Sequence, residues 1–420
     1  MGEAEIAKLR PMQERYARPD WVRRLCAMGE SVGGGLEGAR RIVPMDAEAM
    51  LETAERSLGG GPFGDFGEPG WRDHYRALVA AADALPLHVV GRLMTRQEIL
   101  RSLRTRLAIG RAWAQEPAMA EEEIVRPVIV TGPARSGTTI TFELLALDPD
   151  LRGPMAADAL HPIPLDGASE ADRLAASECE QELWADVQPE FAAIHELRSD
   201  LPVECVTLTT ASFCGSHWPM VLGAVPMDPV ATYAFEKRLL QLLQFLGPRP
   251  QPTWLLKTPG HIMMIDLTLA TFPDAWIVQT HRDPAKTMPS TVSTTAMVQW
   301  LRTDRVDVAQ QVRAIGAAFT AALNSVAVRR REGDLPNRFV DVHFQSLMRD
   351  PVETLRRAYG EMERPFTTEH GERIRQYLAE KPKGKFGVHR YTPEEWGFTR
   401  SELHASLAPY IDAFGIELEG

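Results

Sequence analysis

Thr131-Gly-Pro-Ala-Arg135-Ser-Gly137-Thr138-Thr139 is the stretch on which the reading of this chain turns. Directly before it, Val128-Ile-Val130 is a short β-branched apolar run, the composition of a buried parallel strand. Directly after it, Thr138 to Leu147 has helix spacing and stops at Asp148-Pro149. The pattern predicts strand, turn and helix. Such a turn gathers several backbone N–H groups at one point, and the helix N-terminus adds a partial positive charge. Gly132 and Gly137 allow a sharp path and a close approach of backbone to an anion. The hydroxyls of Ser136, Thr138 and Thr139 add donors, and Arg135 adds a planar fork that matches phosphate or sulfate oxygens. A glycine turn with no ligand is the bland alternative. The strand–turn–helix setting around Arg-Ser-Gly-Thr-Thr argues against it.

Gly132, Gly137 and Thr139 fall where the Walker A pattern Gly-x-x-x-x-Gly-Lys-Ser/Thr places its glycines and hydroxyl. Thr138 stands at the lysine position. That lysine reaches the outer phosphates of a triphosphate, so its absence disfavours ATP or GTP hydrolysis and favours a shorter 5′-phosphate.

Working outward, the strand–helix alternation recurs. Trp254-Leu-Leu256 reads as a strand, His261 to Thr271 as a helix, and Trp276 to Thr280 as a strand. Phe339 to His343 is a fourth strand, with a helix from Pro351. Strands alternating with helices predict an α/β fold, a P-loop-like parallel sheet flanked by helices. Residues 1–120 read as a mostly helical N-terminal layer or cap. Within them 1–30 form a helical arm, and 31–72 read as glycine-rich loops around one helix near Met45–Leu58. Residues 121–420 form the α/β domain, with a helical insertion at about 152–250 as a substrate lid. The lid's apolar residues, among them Leu208, Phe213, Trp218, Met220 and Val221, fit core better than pocket.

Length and composition exclude several classes. At 420 residues with 44% apolar and 25% charged residues, the chain can build a sizeable core without disulfides. Its four cysteines form no CxxC pair and are expected to be buried free thiols in a reducing compartment, with no metal site. The net charge of −11 argues against general nucleic-acid binding but not against a small anion at a local basic cluster. No run reaches membrane-span or signal-peptide length, so a cytoplasmic location without membrane insertion is expected. Nothing decides between a monomer and a homo-oligomer.

A second anion site is expected where strand 276–280 ends. In an open α/β sheet, ligands sit outside the carboxyl ends of the strands. Arg282 follows such an end, and Ser290 comes on the helix beyond it. Later, Lys381-Pro-Lys383-Gly384-Lys385-Phe-Gly-Val-His389-Arg390 concentrates basic residues and glycines in an acidic chain.

Together these pieces resemble the sulfotransferases that use 3′-phosphoadenosine 5′-phosphosulfate (PAPS), most closely the bacterial branch. The likeness runs from about residue 87 to the end. It includes Trp254-Leu-Leu-Lys257-Thr-Pro-Gly-His261, Phe272-Pro-Asp-Ala275 and Gly387-Val-His-Arg-Tyr391. The resemblance implies that Arg135, Ser136, Gly137, Thr138 and Thr139 hold the 5′-phosphosulfate. It further implies that Arg282 and Ser290 hold the 3′-phosphate, with Lys383, Gly384 and Lys385 closing over it. The implied co-substrate is PAPS, used without a metal, and the implied partner is a small-molecule acceptor. If the lid lends part of its apolar surface to a pocket, that acceptor is hydrophobic.

Sulfuryl transfer to a hydroxyl needs a proton acceptor, positive groups for the migrating charge, and in-line placement. Arg135 and Lys257 are the electrostatic candidates. For the base, the family often carries a glutamate some way past the loop. Asp158 stands there, within Pro154-Met-Ala-Ala-Asp158-Ala-Leu-His161. His161 is an alternative with a suitable reference pKa. The run Phe191-Ala-Ala-Ile-His195 through Pro202-Val-Glu204 resembles a stretch of related bacterial enzymes, which adds His195 and Glu204. His217 and His343 read as structural. Two other classes stay open: a nucleotide kinase or NTPase with a degenerate loop, and a non-catalytic nucleotide-binding module.

Overall fold

Alternate residues of a strand face opposite sides of a sheet, and here each side has its own core. The structure is a computed structural model that describes residues 9–164, 167–194, 197–381 and 392–419. Five strands, β1 (Val128–Thr131), β2 (Leu151–Arg152), β3 (Thr253–Lys257), β4 (Trp276–His281) and β5 (Phe339–His343), form one parallel sheet in the order β2-β3-β1-β4-β5. Val128, Val130, Leu255, Val278 and Val340 pack on one side against the helices Thr138–Leu145, Pro351–Glu361 and Thr368–Glu380. Ile129, Leu256 and Ile277 pack on the other, against the helices Val89–Gln115, Pro229–Phe245, Pro284–Trp300 and Val308–Glu332. Burial on both faces explains why the strands read as unbroken apolar runs.

The order of the strands positions the chemistry. β1 lies at the centre, with Ile129 opposite Leu256 on one side and Ile277 on the other. The chain crosses over β1 between β3 and β4. The turns after β1, β3 and β4 therefore open at the same edge of the sheet, where ligands of such folds bind.

The strand and helix positions read from sequence reappear, with some differences. β2 was missed: it is a two-residue edge strand between Pro149 and Pro154, too short to show periodicity. The stretch from His261 to Thr271 begins as a 3-10 turn at Pro259–Met264 and becomes α-helical at Ile265–Thr271. The glycine-rich stretch 31–72 holds an extra helix, Gly35–Ile42, besides Ala47–Ser57. Gly38 in the first of these serves close packing: a Cβ on it would lie 1.7 Å from the carbonyl oxygen of Gly29 on the helix Asp20–Ser31.

The helices before β1 share the core of one sheet face, since Trp71, Tyr75, Leu103 and Ile129 belong to a single cluster. Leu208, Phe213, Trp218 and Val221 join it too, as core. All four cysteines are free. Cys205 and Cys214 are buried, but, contrary to expectation, Cys26 is only half-buried and Cys179 is exposed, on the outer side of the helix Glu170–Val187. Among the described residues, no helix is long and apolar enough to cross a membrane.

Candidate active site

The loop after β1 is held by its neighbours before any ligand is considered. Gly132 has φ +137°, and a Cβ there would meet Thr280 Oγ1 at 2.5 Å and the Thr280 carbonyl at 2.6 Å. Only glycine lets β1 and β4 come this close at the turn. Ser136 is fully buried; its hydroxyl donates to the Pro133 carbonyl at 2.6 Å and lies 2.6 Å from Thr280 Oγ1. Its side chain braces the loop from within. Thr131 Oγ1 donates to the Thr258 carbonyl and accepts from the Ile262 N–H, both at 3.0 Å, which ties β1 to the turn after β3.

Gly137, with φ +95°, caps the helix Thr138–Leu145 without a side-chain acceptor, so the first-turn amides keep their hydrogen-bonding capacity for an anion. Thr138 is buried and Thr139 exposed. Arg135 is exposed and has φ +66°, a left-handed conformation costing about 1 kcal/mol or more for a side-chain-bearing residue. It makes no ion pair among the described residues.

Lys257 ends β3 and is 2% exposed. Its Nζ lies 3.4 Å from Thr139 Oγ1 and 2.5 Å from Glu204 Oε1, joining loop, strand and insertion. Glu204 is brought there by an extended pairing in which the Val203 N–H donates to the Pro154 carbonyl at 2.8 Å. Its other oxygen accepts from the Thr258 hydroxyl at 3.4 Å.

Arg282 leaves the end of β4 and lies over the Phe344 ring at 3.9 Å. Its Nη1 donates to the Arg135 carbonyl at 3.1 Å, and its Nε and Nη2 engage the Glu419 carboxylate. Two helix turns on, the buried hydroxyls of Thr287 and Ser290 have no hydrogen-bond partner among the described residues. Buried polar groups are normally satisfied, so orphans three residues apart on one helix face are what a bound polar group would complete.

The remaining expected residues fall elsewhere. Asp158 accepts from the Met155 N–H at 3.2 Å and lies between Arg173 (3.4 Å) and Arg152 (3.7 Å), which makes it a helix cap held by two cations. His161 contacts Glu180 at 3.0 Å and lines a separate cavity of about 920 Å³ with Arg96, Leu100, Arg104 and Ile163. No residue of the phosphate-type loop lines that cavity. His195, Lys383, Gly384 and Lys385 lie outside the described residues. His217 contacts Glu98 at 3.5 Å, and both are buried.

Below the Lys257–Glu204 pair sits a fully buried group, Cys205, Glu236 and His261, whose ligand-type atoms lie within 4.8 Å of one another. Burial pushes the Glu236 carboxyl up to about 7, lowers His261 to about 4 and raises the Cys205 thiol. His261 Nδ1 contacts the Tyr233 hydroxyl at 2.6 Å. Sequence reading missed Glu236, Thr280, Thr287, Phe344 and Glu419. Their only signal was spatial, since each comes from a different element.

A family model described as the sulfotransferase family matches residues 127–368, more than half of the chain and the span that holds β1 to β5. The chain belongs to the sulfotransferase family. It is similar, at 24% identity over 305 residues, to omega-hydroxy-beta-dihydromenaquinone-9 sulfotransferase Stf3 of Mycobacterium bovis and of Mycobacterium tuberculosis, with 69% of this chain and 75% of each relative aligned. Sulfotransferase STF9 from Mycobacterium avium superposes with a TM-score of 0.75 at 28% identity, covering 90% of this chain and 98% of that one. STF1 from Mycobacterium tuberculosis shares the fold, with a TM-score of 0.65 at 24% identity over 86% of this chain and 98% of that one. The chain is therefore a sulfotransferase, and the NTPase alternative is not favoured.

Proposed function

We propose that the enzyme moves the sulfuryl group from PAPS to a hydroxyl (or amine) of a small hydrophobic acceptor, in line and without a metal in the reaction. The observation that carries this reading is convergence: the loop after β1, Lys257 after β3 and Arg282 after β4 are linked by the Lys257–Thr139 and Arg282–Arg135 contacts. That spacing suits a nucleotide gripped at both ends. The amides of the helix Thr138–Leu145 and the Arg135 fork receive the 5′-phosphosulfate. Arg282 and the orphan hydroxyl of Ser290, with Thr287 beside it, receive the 3′-phosphate. Lys383, Gly384 and Lys385 belong to the same reading as a closing loop, and His195 as a group near the acceptor.

The new bond forms between the acceptor oxygen and sulfur as the bond from sulfur to the 5′-phosphate oxygen breaks. Lys257 and Arg135 stabilise the negative charge that collects on that bridging oxygen, and the bisphosphate leaves as an anion. The acceptor's proton goes to Glu204. This carboxylate fits the role better than Asp158 or His161, because it alone of the three sits beside the loop. Lys257 holds Glu204 until the nucleotide draws the ammonium toward the bridging oxygen. Fixed positive charge and alignment supply what a metal would otherwise supply in a loose transition state. The relatives that act on a menaquinone derivative support a lipid-like acceptor class.

Release of 3′,5′-adenosine bisphosphate from PAPS, followed with a panel of hydrophobic alcohols and phenols, tests the assignment. Turnover should require the acceptor. Lys257→Met should lower kcat by about 10²–10³-fold with bisphosphate binding largely kept. Turnover unaffected by that change would remove Lys257 from the chemistry.

A further inference from the structure

The guanidinium of Arg282 already holds an anion. Glu419 meets it in fork geometry, with Nε to Oε1 at 2.7 Å and Nη2 to Oε2 at 2.9 Å. The arrangement is fixed from both sides. The Glu419 N–H donates to Asp283 Oδ2 at 2.8 Å, and the Glu419 carbonyl accepts from Arg400. Asp283 is itself fully buried, accepts from the Ala285 N–H at 2.8 Å and pairs with His404 at 2.8 Å. Ile416, 6% exposed, pins the segment that leads from the helix Ala408–Phe414 to Glu419. Phe344 lies against one face of the guanidinium at 3.9 Å.

A carboxylate offers a guanidinium the same pair of oxygens that a phosphate does. We propose that Glu419 is a built-in stand-in for the 3′-phosphate and thereby determines nucleotide selectivity and release. The proposal rests on the reading of Arg282 as the 3′-phosphate group. A nucleotide with that phosphate must displace the Glu419 carboxylate, which its higher charge allows. A nucleotide without it leaves the pair intact and gains nothing from Arg282. The backbone bonds to Asp283 and Arg400 keep the displaced carboxylate close, at high effective concentration. Glu419 therefore returns to Arg282 as the spent bisphosphate leaves, trading affinity for faster release.

Calorimetry and stopped-flow release with 3′,5′-adenosine bisphosphate and 5′-AMP test this on the full chain, using Glu419→Gln, Arg282→Ala and the double variant. Glu419→Gln should bind the bisphosphate about tenfold more tightly and release it more slowly, with 5′-AMP unchanged. In the Arg282→Ala background the same change should have no effect, a result that general loosening of the segment would not give. Glu419→Ala, with its melting temperature measured alongside, provides a second reading of the same effect. If Glu419→Gln leaves bisphosphate affinity unchanged or lower while Arg282→Ala still weakens the bisphosphate far more than 5′-AMP, the Glu419 proposal fails and the Arg282 reading stands. If Arg282→Ala weakens both nucleotides equally, the Arg282 reading fails and the proposal with it.

Discussion

Glu204 and Asp158 are both carboxylates in the stretch where a base was sought, and their surroundings assign them different work. Asp158 closes a helix N-terminus and neutralises Arg152 and Arg173. Glu204 touches Lys257 and Thr258 beside the loop. Glu204→Gln should lower kcat by about 10²–10⁴-fold, the usual loss for a general base, with little change in bisphosphate affinity. Asp158→Asn should instead lower the melting temperature and keep kcat within a few-fold. Steady-state kinetics and thermal melts on the two variants check this, and the reverse pattern would exchange their roles. Sequence offered Asp158 and Glu204 as candidates but could not rank them. The ranking depends on the pairing of Val203 with Pro154, which turns Glu204 toward β3.

At the scale of an element, the strand–turn–helix unit around β1 was legible because its signals are local: β-branched residues, two spaced glycines, then hydroxyls at a helix start. What sequence could not show is that the turn is built against β4. Gly132 is glycine because Thr280 leaves no room, and Ser136 is serine because its hydroxyl reaches Pro133 and Thr280. Gly132→Ala should destabilise the fold by about 2 kcal/mol or more, through both the contact and the strained backbone angle. Urea unfolding reads this as a lower midpoint at unchanged slope. A midpoint equal to that of the parent would show that the turn can open away from Thr280. Glu419 illustrates the opposite case: far from Arg282 in sequence, with no motif around it, it became visible only through the folding of the segment after Phe414.

For the whole molecule, an acidic chain of net charge −11 concentrates cationic side chains at one sheet edge and buries an acid beneath them. Burial holds Glu236 near 7 against an ordinary value of 4.5. Between these values the folded chain keeps a proton that the unfolded chain has lost. Stability contributed by the neutral carboxyl is therefore full below about 4.5 and declines as pH rises through 7. Glu236→Gln should flatten that decline between pH 5 and 8 in urea titrations, and a parallel decline in the variant would assign it to other groups. The parallel sheet and its flanking helices were readable as a whole because both faces of every central strand are buried. Composition could not reveal that the N-terminal helices and the insertion join the sheet in one core, since that requires knowing which face each helix turns inward.

We propose above all that the site grips a nucleotide phosphorylated at both its 3′ and 5′ positions. Calorimetric titration with 3′,5′-adenosine bisphosphate and then with ATP–Mg²⁺ measures it directly. Tight binding of the bisphosphate and weak binding of ATP–Mg²⁺ is the predicted result. Equal affinity for the two, or no binding of the bisphosphate, would contradict it.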